Sequence, residues 1–285
     1  MAVSHRKSQR LQPLLEHVPP GFMVDTRWLR RRDIDPKSIH DYVVRGWFER
    51  VVRGVYRRPL PDNVRESPGT DWQVPLLSLQ WILGRDVHLG GESALQLHGF
   101  AHFLSLGQCV KVHLYGDVPS WLHRLPTTAT FVVHGRTLFS DDKTGIEDVT
   151  DGGDQNLSRA PAVNIWRWPV KAASAERAVF EALDELPNST SFDHLDGIFE
   201  GLTTLRPNRV QRLLTACTSV KVRRLFMVFA DRHNHAWRKY LDTASIDLGS
   251  GPRALVKGGK LHPVYRIYVP EDFLPDTGRA GGEDA

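Results

Sequence analysis

The beginning of the chain alternates apolar and polar positions at the spacing of short helices. Four apolar residues fall at i, i+3, i+4 and i+7, on one face of a helix: Leu11, Leu14, Leu15 and Val18. Pro13 lies inside this pattern, and proline is tolerated only in the first turn of a helix. The pattern therefore predicts a helix that begins near Gln12 or is kinked there, and Pro19-Pro20-Gly21 ends it.

A short second helix is predicted from residue 25 or 26 to Arg32. Asp25 or Thr26 can cap it, because a side-chain oxygen accepts a hydrogen bond from the free amides of the first helical turn. Trp28 and Leu29 face inward in this prediction, and Arg27, Arg30 and Arg31 face outward.

A third helix is predicted after a tight turn at Asp33, a residue type that tolerates left-handed or bridge backbone conformations. Asp35-Pro36 opens the helix, with Asp as N-cap and Pro in the first helical position. Gly46 ends it. The predicted buried stripe is Ile39, Tyr42 and Val43. The predicted outer face is Lys37, Ser38, His40, Asp41 and Arg45.

A β-hairpin is predicted next. Residues that favour strands fill Trp47–Val52, Arg53-Gly54 makes a turn, and Val55–Arg57 returns. Helix, turn, helix and hairpin in this order are typical of a winged helix-turn-helix, with the hairpin as the wing.

The remainder of the chain predicts a larger mixed domain. The predicted helical segments are 72–83, 90–104, 174–186, 192–202, 208–218, 220–233 and 235–241. The predicted strands are 110–116, 130–135 and Ala162–Trp168, with a terminal hairpin around Gly258-Gly259. The polar stretch Ser140–Pro161 shows no strong period and is interpreted as a surface loop.

The predicted fold class is α+β. A winged helix-turn-helix (1–60) is followed by a linker (61–70) and by a larger mixed α/β C-terminal domain with a helical, bundle-like part (71–274). The Gly/Asp/Glu-rich tail, 275–285, is predicted to be disordered.

Charge is distributed unevenly along the chain. Residues 1–60 carry 13 Lys/Arg against 6 Asp/Glu, a net charge of +7, whereas the rest carries 24 against 27, a net of −3. A basic segment of this kind is the electrostatic signature of a nucleic-acid-binding module, although basic solvated faces are also common.

Double-stranded DNA is the partner that charge and element order together predict. The second helix of such a motif meets base edges, while cations on the first helix and the wing contact phosphates or the minor groove. The predicted DNA-binding residues are Arg27, Arg30, Lys37, Ser38, His40, Arg45, Arg50, Arg53 and Arg57. Taken singly, each of these arginines is better explained as a solvated surface charge, and only the set with the element order favours DNA. Winged folds also serve as protein-interaction modules.

Enzymatic and metal-binding motifs are weak or missing in the sequence. His98 and His102 lie at i, i+4, and His233 and His235 are one residue apart, but neither pair has a nearby cluster of cysteines or acids. Asp141-Asp142 has no lysine in register for a nuclease site. We find no nucleophile elbow, Walker loop or dinucleotide fingerprint. The sequence therefore predicts no catalytic residue, cofactor or metal.

The expected compartment is the cytoplasm. The N-terminus has charge without a following apolar run, and no apolar stretch approaches the ~20 residues that span a membrane. Two distant cysteines, Cys109 and Cys217, do not suggest a disulfide framework.

Fifteen positions in the predicted winged domain resemble the N-terminal domain of AbiEi-type antitoxins of type IV toxin–antitoxin (abortive infection) systems. They are Val24, Thr26, Leu29, Ser38, Val44, Arg45, Gly46, Arg50, Val51, Arg53, Gly54, Val55, Tyr56, Arg57 and Pro59. Segments of the remaining chain are similar to the family's C-terminal domain: 90–104, 110–116, 174–186 and 259–273.

The resemblance implies functions that the residues alone do not. Such an antitoxin represses its own operon through the winged domain. It also neutralises a nucleotidyltransferase-like toxin encoded alongside, without forming a stable complex with it. The C-terminal domain is needed for neutralisation. The alternatives are a winged module fused to an unrecognised nuclease or other enzyme, a solitary transcriptional regulator, and a winged domain that binds another protein.

Overall fold

The computed structural model describes residues 11–61, 71–100, 110–150 and 168–275. Several predictions therefore fall, in whole or in part, outside the described residues. These are most of the linker, the end of helix 90–104, the strand Ala162–Trp168 up to residue 167, the loop after residue 150, and the tail after residue 275.

The chain divides into two compact units. The described residues of Met1–Leu89, Ser105–His134 and Asp148–Ala172 form the first unit, and those of Gly90–Leu104, Gly135–Glu147 and Ala173–Ala285 form the second. The predicted domain boundary at residue 60 stays a prediction. The fold is α+β, as the helical and strand patterns of the sequence predicted.

The first unit begins with the predicted winged helix-turn-helix. Its elements are helix α1 (11–17), strand β1 (Met23–Asp25), helix α2 (Thr26–Arg30), helix α3 (Pro36–Val44), and strands β2 (Glu49–Val52) and β3 (Val55–Arg57). The three strands form an antiparallel sheet in the order β1-β3-β2. Strand β1 was not predicted, because three residues are too short to show a period of two.

Local capping explains why α2 and α3 begin where they do. The Asp25 carboxylate accepts a hydrogen bond from Trp28 N at 2.7 Å, and the Asp35 carboxylate accepts one from Ser38 N at 2.8 Å. Between the helices, Asp33 adopts a left-handed conformation with φ +56°. Gly46 has φ +73° just after α3, in a backbone region that favours glycine.

Helix α4 (Gln73–Leu77) is continued by a π-helical segment (Ser78–Ile82), which packs against the winged elements within the first unit. Met23 N donates to Ser78 Oγ at 2.9 Å, and the Trp28 indole N–H donates to the Ile82 carbonyl at 2.7 Å. Because all these groups are buried or half-buried, the contacts fix α2 and β1 to the body of the unit.

A five-stranded mixed sheet follows, in the order β6-β5-β4-β8-β7. Its strands are β4 (Val87–Leu89), β5 (Lys111–Gly116), β6 (Thr130–His134), β7 (Ile146–Val149) and β8 (Val170–Ala173). β4 and β5 are antiparallel, whereas β5–β6 and β4–β8 are parallel. The interpretation of Ser140–Pro161 as a loop was wrong at β7, whose four residues show no apolar alternation in the sequence.

The second unit is a helical core. Its helices are α5 (Gly91–Leu97), α6 (Ala175–Asp184), α7 (Phe192–Gly201), α8 (Pro207–Ala216) and α9 (Val220–His233). Ser174 caps α6 as predicted, and Phe180, Phe199, Phe226 and Phe229 are fully buried between the helices. The prediction for residues 235–241 reduces to a 3-10 turn, Arg238–Tyr240.

The terminal hairpin is real but lies elsewhere. Strands β9 (Lys260–Leu261) and β10 (Tyr268–Val269) pair antiparallel, so the connection runs through residues 262–267 rather than through Gly258-Gly259. Gly258 does adopt a positive φ just before β9, so the chain turns there, but this turn is not the one that joins the two strands. Within the described residues, no helix combines the length and apolar character needed to cross a membrane.

Candidate nucleic-acid interface

Helix α3 presents one buried and one exposed face. Ile39 and Tyr42 are buried, as predicted, whereas Lys37, His40 and Arg45 are exposed. Within the described residues the three exposed side chains make no hydrogen bond or ion pair. The helix therefore offers free donors on the face that points to solvent.

Ser38 does not belong to that exposed face, and its predicted placement there was wrong. The side chain is 7% exposed, and its Oγ donates to Asp35 Oδ2 at 3.1 Å while its own backbone amide donates to Oδ1 of the same carboxylate. Ser38 therefore completes the N-cap of α3. The spacing Asp-x-x-Ser is typical of a helix N-cap, so the sequence does indicate this capping role.

Helix α2 contributes exposed arginines beside buried apolar residues. Arg27 and Arg30 lie in solvent as predicted, and Trp28 and Leu29 are buried between them. Arg31 is also exposed and without a side-chain partner in the part of the chain that the structure describes. It was missing from the predicted set, although its place beside Arg30 could have indicated it.

The wing carries Arg50 on strand β2 and Arg53 in its turn, both exposed as predicted. Pairing shifts between Arg50, opposite Tyr56, and Val52, opposite Val55, so the strand contains a β-bulge. A bulge increases local twist and redirects side chains. The free charges of the wing therefore lie at the bulge and at the tip.

Three other arginines of the winged elements already interact with groups of the protein itself. Arg57 Nε lies 2.5 Å from Glu49 Oε1 across the hairpin, which makes it a structural ion pair of the wing. The Arg32 guanidinium stacks 3.6 Å from the centre of the Trp28 ring, and burial, together with the charge of Arg31, lowers the pKa of Arg32. Arg58 donates to the Leu15 and Val18 carbonyls and holds α1 in place.

Comparison with known proteins identifies the family. Residues 110–270 match the model described as "Transcriptional regulator, AbiEi antitoxin, Type IV TA system", and residues 7–106 match that of the "AbiEi antitoxin N-terminal domain" of such regulators. The chain belongs to the AbiEi antitoxin family. It is similar to the "RV2827C protein from Mycobacterium tuberculosis", with 17% identity over 92% of this chain and 90% of that chain and a TM-score of 0.48. A search of curated proteins gives no match.

The histidines considered as metal ligands make contacts within the protein of this AbiEi-family chain. His98 Nε2 lies 2.9 Å from the Ala173 carbonyl, and His102 lies outside the described residues. His233 Nε2 lies 2.7 Å from Asp196 Oδ1, and His235 Nε2 lies 2.8 Å from the Phe199 carbonyl. Each of these three histidines therefore has one ring nitrogen, Nε2, beside a protein oxygen.

Asp141 and Asp142 are explained by the turn that contains them. Asp141 accepts hydrogen bonds from Thr144 Oγ1 and Lys143 N, and these bonds, the Thr144 hydroxyl first, lower the pKa of its carboxyl. Asp142 lies 2.5 Å from Arg136. The two carboxylates therefore stabilise the segment before β7 and give the nuclease alternative no support.

A small cavity of about 190 Å³ lies within the second unit, between the segment 144–147 and helix α8. Glu147 and Arg209 line it and pair with each other at 2.9 Å. Arg212 also lines the cavity and is exposed. The Glu147 carboxylate is therefore held in an ion pair with Arg209.

Proposed function

We propose that this AbiEi-family protein binds the DNA of its own promoter through α2, α3 and the wing and represses its own transcription. The observation that supports the proposal is the set of exposed cations on these elements that lack side-chain partners within the described residues. The set consists of Arg27, Arg30, Arg31, Lys37, Arg45, Arg50 and Arg53. Unpaired exposed cations on a helix-turn-helix are available to phosphates and base edges at no cost of breaking an internal ion pair.

Different elements of the interface contact the bases and the DNA backbone. Lys37 and His40, on the exposed face of α3, are placed to meet base edges in the major groove. The arginines of α2 are placed to contact phosphates, which set register but carry no sequence information. Arg50 and Arg53 of the wing reach the adjacent backbone or minor groove. Ser38 and Arg57 act indirectly, through the cap of α3 and the ion pair of the wing.

The test compares two triple variants of the full-length chain that lose the same charge. The interface variant carries Lys37→Gln, Arg50→Gln and Arg53→Gln. The control variant carries Arg124→Gln, Lys143→Gln and Lys257→Gln, three exposed cations outside the winged elements. We expect the interface variant to bind its own upstream DNA much more weakly and to lose repression of a reporter driven by that DNA. The control variant should keep wild-type binding and repression. Equal loss in both variants would contradict the proposal.

We further propose that the protein neutralises a nucleotidyltransferase-like toxin encoded beside it without forming a stable complex with that toxin. The protein works in the cytoplasm and is not an enzyme. Family membership supports this half of the proposal. Coexpression with the neighbouring reading frame should restore growth, and the two proteins should not copurify. The interface variant should rescue growth as well as the wild type does, since neutralisation is assigned to the C-terminal domain. Failure of the wild type to rescue would overturn the antitoxin assignment.

A further inference from the structure

One apolar side chain interrupts the polar face of α3. Val44 is 71% exposed, more than any other large apolar side chain in the described residues. Single exposed apolar residues are common on protein surfaces and need no explanation by themselves. The position of Val44 on the helix is what gives this one a specific meaning.

Val44 lies in line with the two polar side chains that are placed to read bases. At about 100° per residue, Lys37, His40 and Val44 fall within about 60° of one another around the helix axis. The buried residues Ile39 and Tyr42 lie on the opposite side. A double helix that meets Lys37 and His40 would therefore also meet Val44, about two turns along the helix from Lys37.

The surroundings of Val44 favour a nucleic-acid contact over an apolar protein surface. Arg45 follows it in the chain, and Lys37 and His40 share its face, all exposed and without side-chain partners among the described residues. A protein partner would have to cover these charges together with the valine. In the major groove, phosphates and purine acceptors take the charges, and the thymine C5-methyl is the apolar group that the bases present.

We propose that Val44 determines part of the operator sequence by packing against the C5-methyl group of thymine. This inference rests on the proposed DNA binding and adds a base preference to it. Lys37 and His40 supply hydrogen-bond donors, which favour guanine O6 and N7. Val44 then requires thymine on the side of the site that the C-terminal end of α3 contacts.

The experiment removes the methyl group from the DNA rather than from the protein. The DNA upstream of the gene is amplified once with dTTP and once with dUTP, so that every thymine in the second probe is uracil, which lacks the methyl. We expect the wild-type full-length chain to bind the uracil probe more weakly, by about fourfold for each methyl group that Val44 covers. Uracil substitution at single positions should place the effect at one or two thymines in each bound site.

Variants decide whether Val44 is the residue that senses the methyl group. Val44→Ala should bind both probes equally, with the affinity of the wild type for the uracil probe. The matched control is Val264→Ala, which shortens another highly exposed valine, at 66%, in the second unit. It should keep the full difference between the probes. Because alanine favours helix and Val44 is exposed, the substitution leaves α3 intact.

The outcomes separate the two proposals. No binding of either probe by the wild type would overturn the proposed function itself. Equal binding of both probes by the wild type would leave DNA binding standing and overturn the role of Val44. A probe difference that persists in Val44→Ala would assign methyl recognition to another residue and would likewise overturn the inference.

Discussion

Lys37 and Arg53 lie on different elements of the proposed interface and should differ in what they lose. Lys37 is on the exposed face of α3, whereas Arg53 is in the turn of the wing. Lys37→Ala should relax sequence preference, because a good base contact is worth ~1–3 kcal/mol of discrimination. Arg53→Ala should weaken binding to all sequences about equally. Competition between operator and random DNA measures both effects. Uniform weakening by Lys37→Ala and loss of sequence preference by Arg53→Ala would mean that the wing, not α3, contacts the bases.

Cys217 should be unreactive in the native protein. Its side chain is buried, and burial raises the pKa of the thiol to about 11. In a Cys109→Ser background, iodoacetamide at pH 8 should label the native chain far more slowly than the chain in denaturant. A thiol protonated in the folded state and ionised in the unfolded one also lowers the free energy of unfolding as the pH rises from about 9 to 11. Rapid native labelling would show that the site opens to solvent.

At the scale of residues, the sequence revealed charge but not whether each charge was already paired. The outward arginines of α2 were predictable, because the apolar residues beside them fixed the buried side. The pairing of Arg57 with Glu49 depends on the register of the hairpin, and register depends on a bulge that leaves no clear signature in the chain. Ser38 was misplaced on the outer face, although at about 100° per residue it lies about 40° from buried Tyr42, and its side chain completes the cap of α3.

The wing turn should be the most sensitive backbone position among the winged elements. Gly54 has φ +81°, its carbonyl accepts from Thr26 N at 2.9 Å, and an added Cβ would lie 3.3 Å from Thr26 Oγ1. Gly54→Ala should lower the free energy of unfolding by about 1–2 kcal/mol through left-handed strain, with crowding added.

Gly46→Ala is the matched control for that prediction. Gly46 also has a positive φ, +73°, but nothing lies within 4 Å of an added Cβ. Denaturant unfolding followed by tryptophan fluorescence should therefore show a smaller loss for Gly46→Ala than for Gly54→Ala. Equal losses would mean that Thr26 moves aside without cost.

At the scale of elements, helices with local start signals were predictable and short strands were not. Asp35-Pro36 and Ser174 begin α3 and α6 where the sequence placed them, because caps and proline act within one turn. β4 and β7 have three and four residues, and their strand conformation depends on neighbours far away in sequence. The terminal hairpin was misplaced for the same reason, since its pairing is not set by the glycine turn beside it.

At the scale of the whole molecule, the contrast in charge was predictable from the sequence, whereas the contacts between residues 71–89 and the winged elements were not. Residues 71–89 belong to the same unit as the winged elements, and the hydrogen bonds of Met23 and Trp28 to the helix after residue 72 account for this. Periodicity cannot predict such contacts, because they join residues more than fifty positions apart. The full-length chain is therefore the right material for every binding experiment.

The salt dependence of DNA binding tests the central claim, that unpaired cations of α2, α3 and the wing contact phosphates. For the wild type, the logarithm of the association constant should fall linearly with the logarithm of salt concentration, by about 0.9 for each phosphate neutralised. The slope should be shallower for the interface variant, and it should be unchanged for the control variant. A wild-type affinity that stays constant between roughly 50 and 200 mM salt, or a slope that changes equally in both variants, would contradict the account.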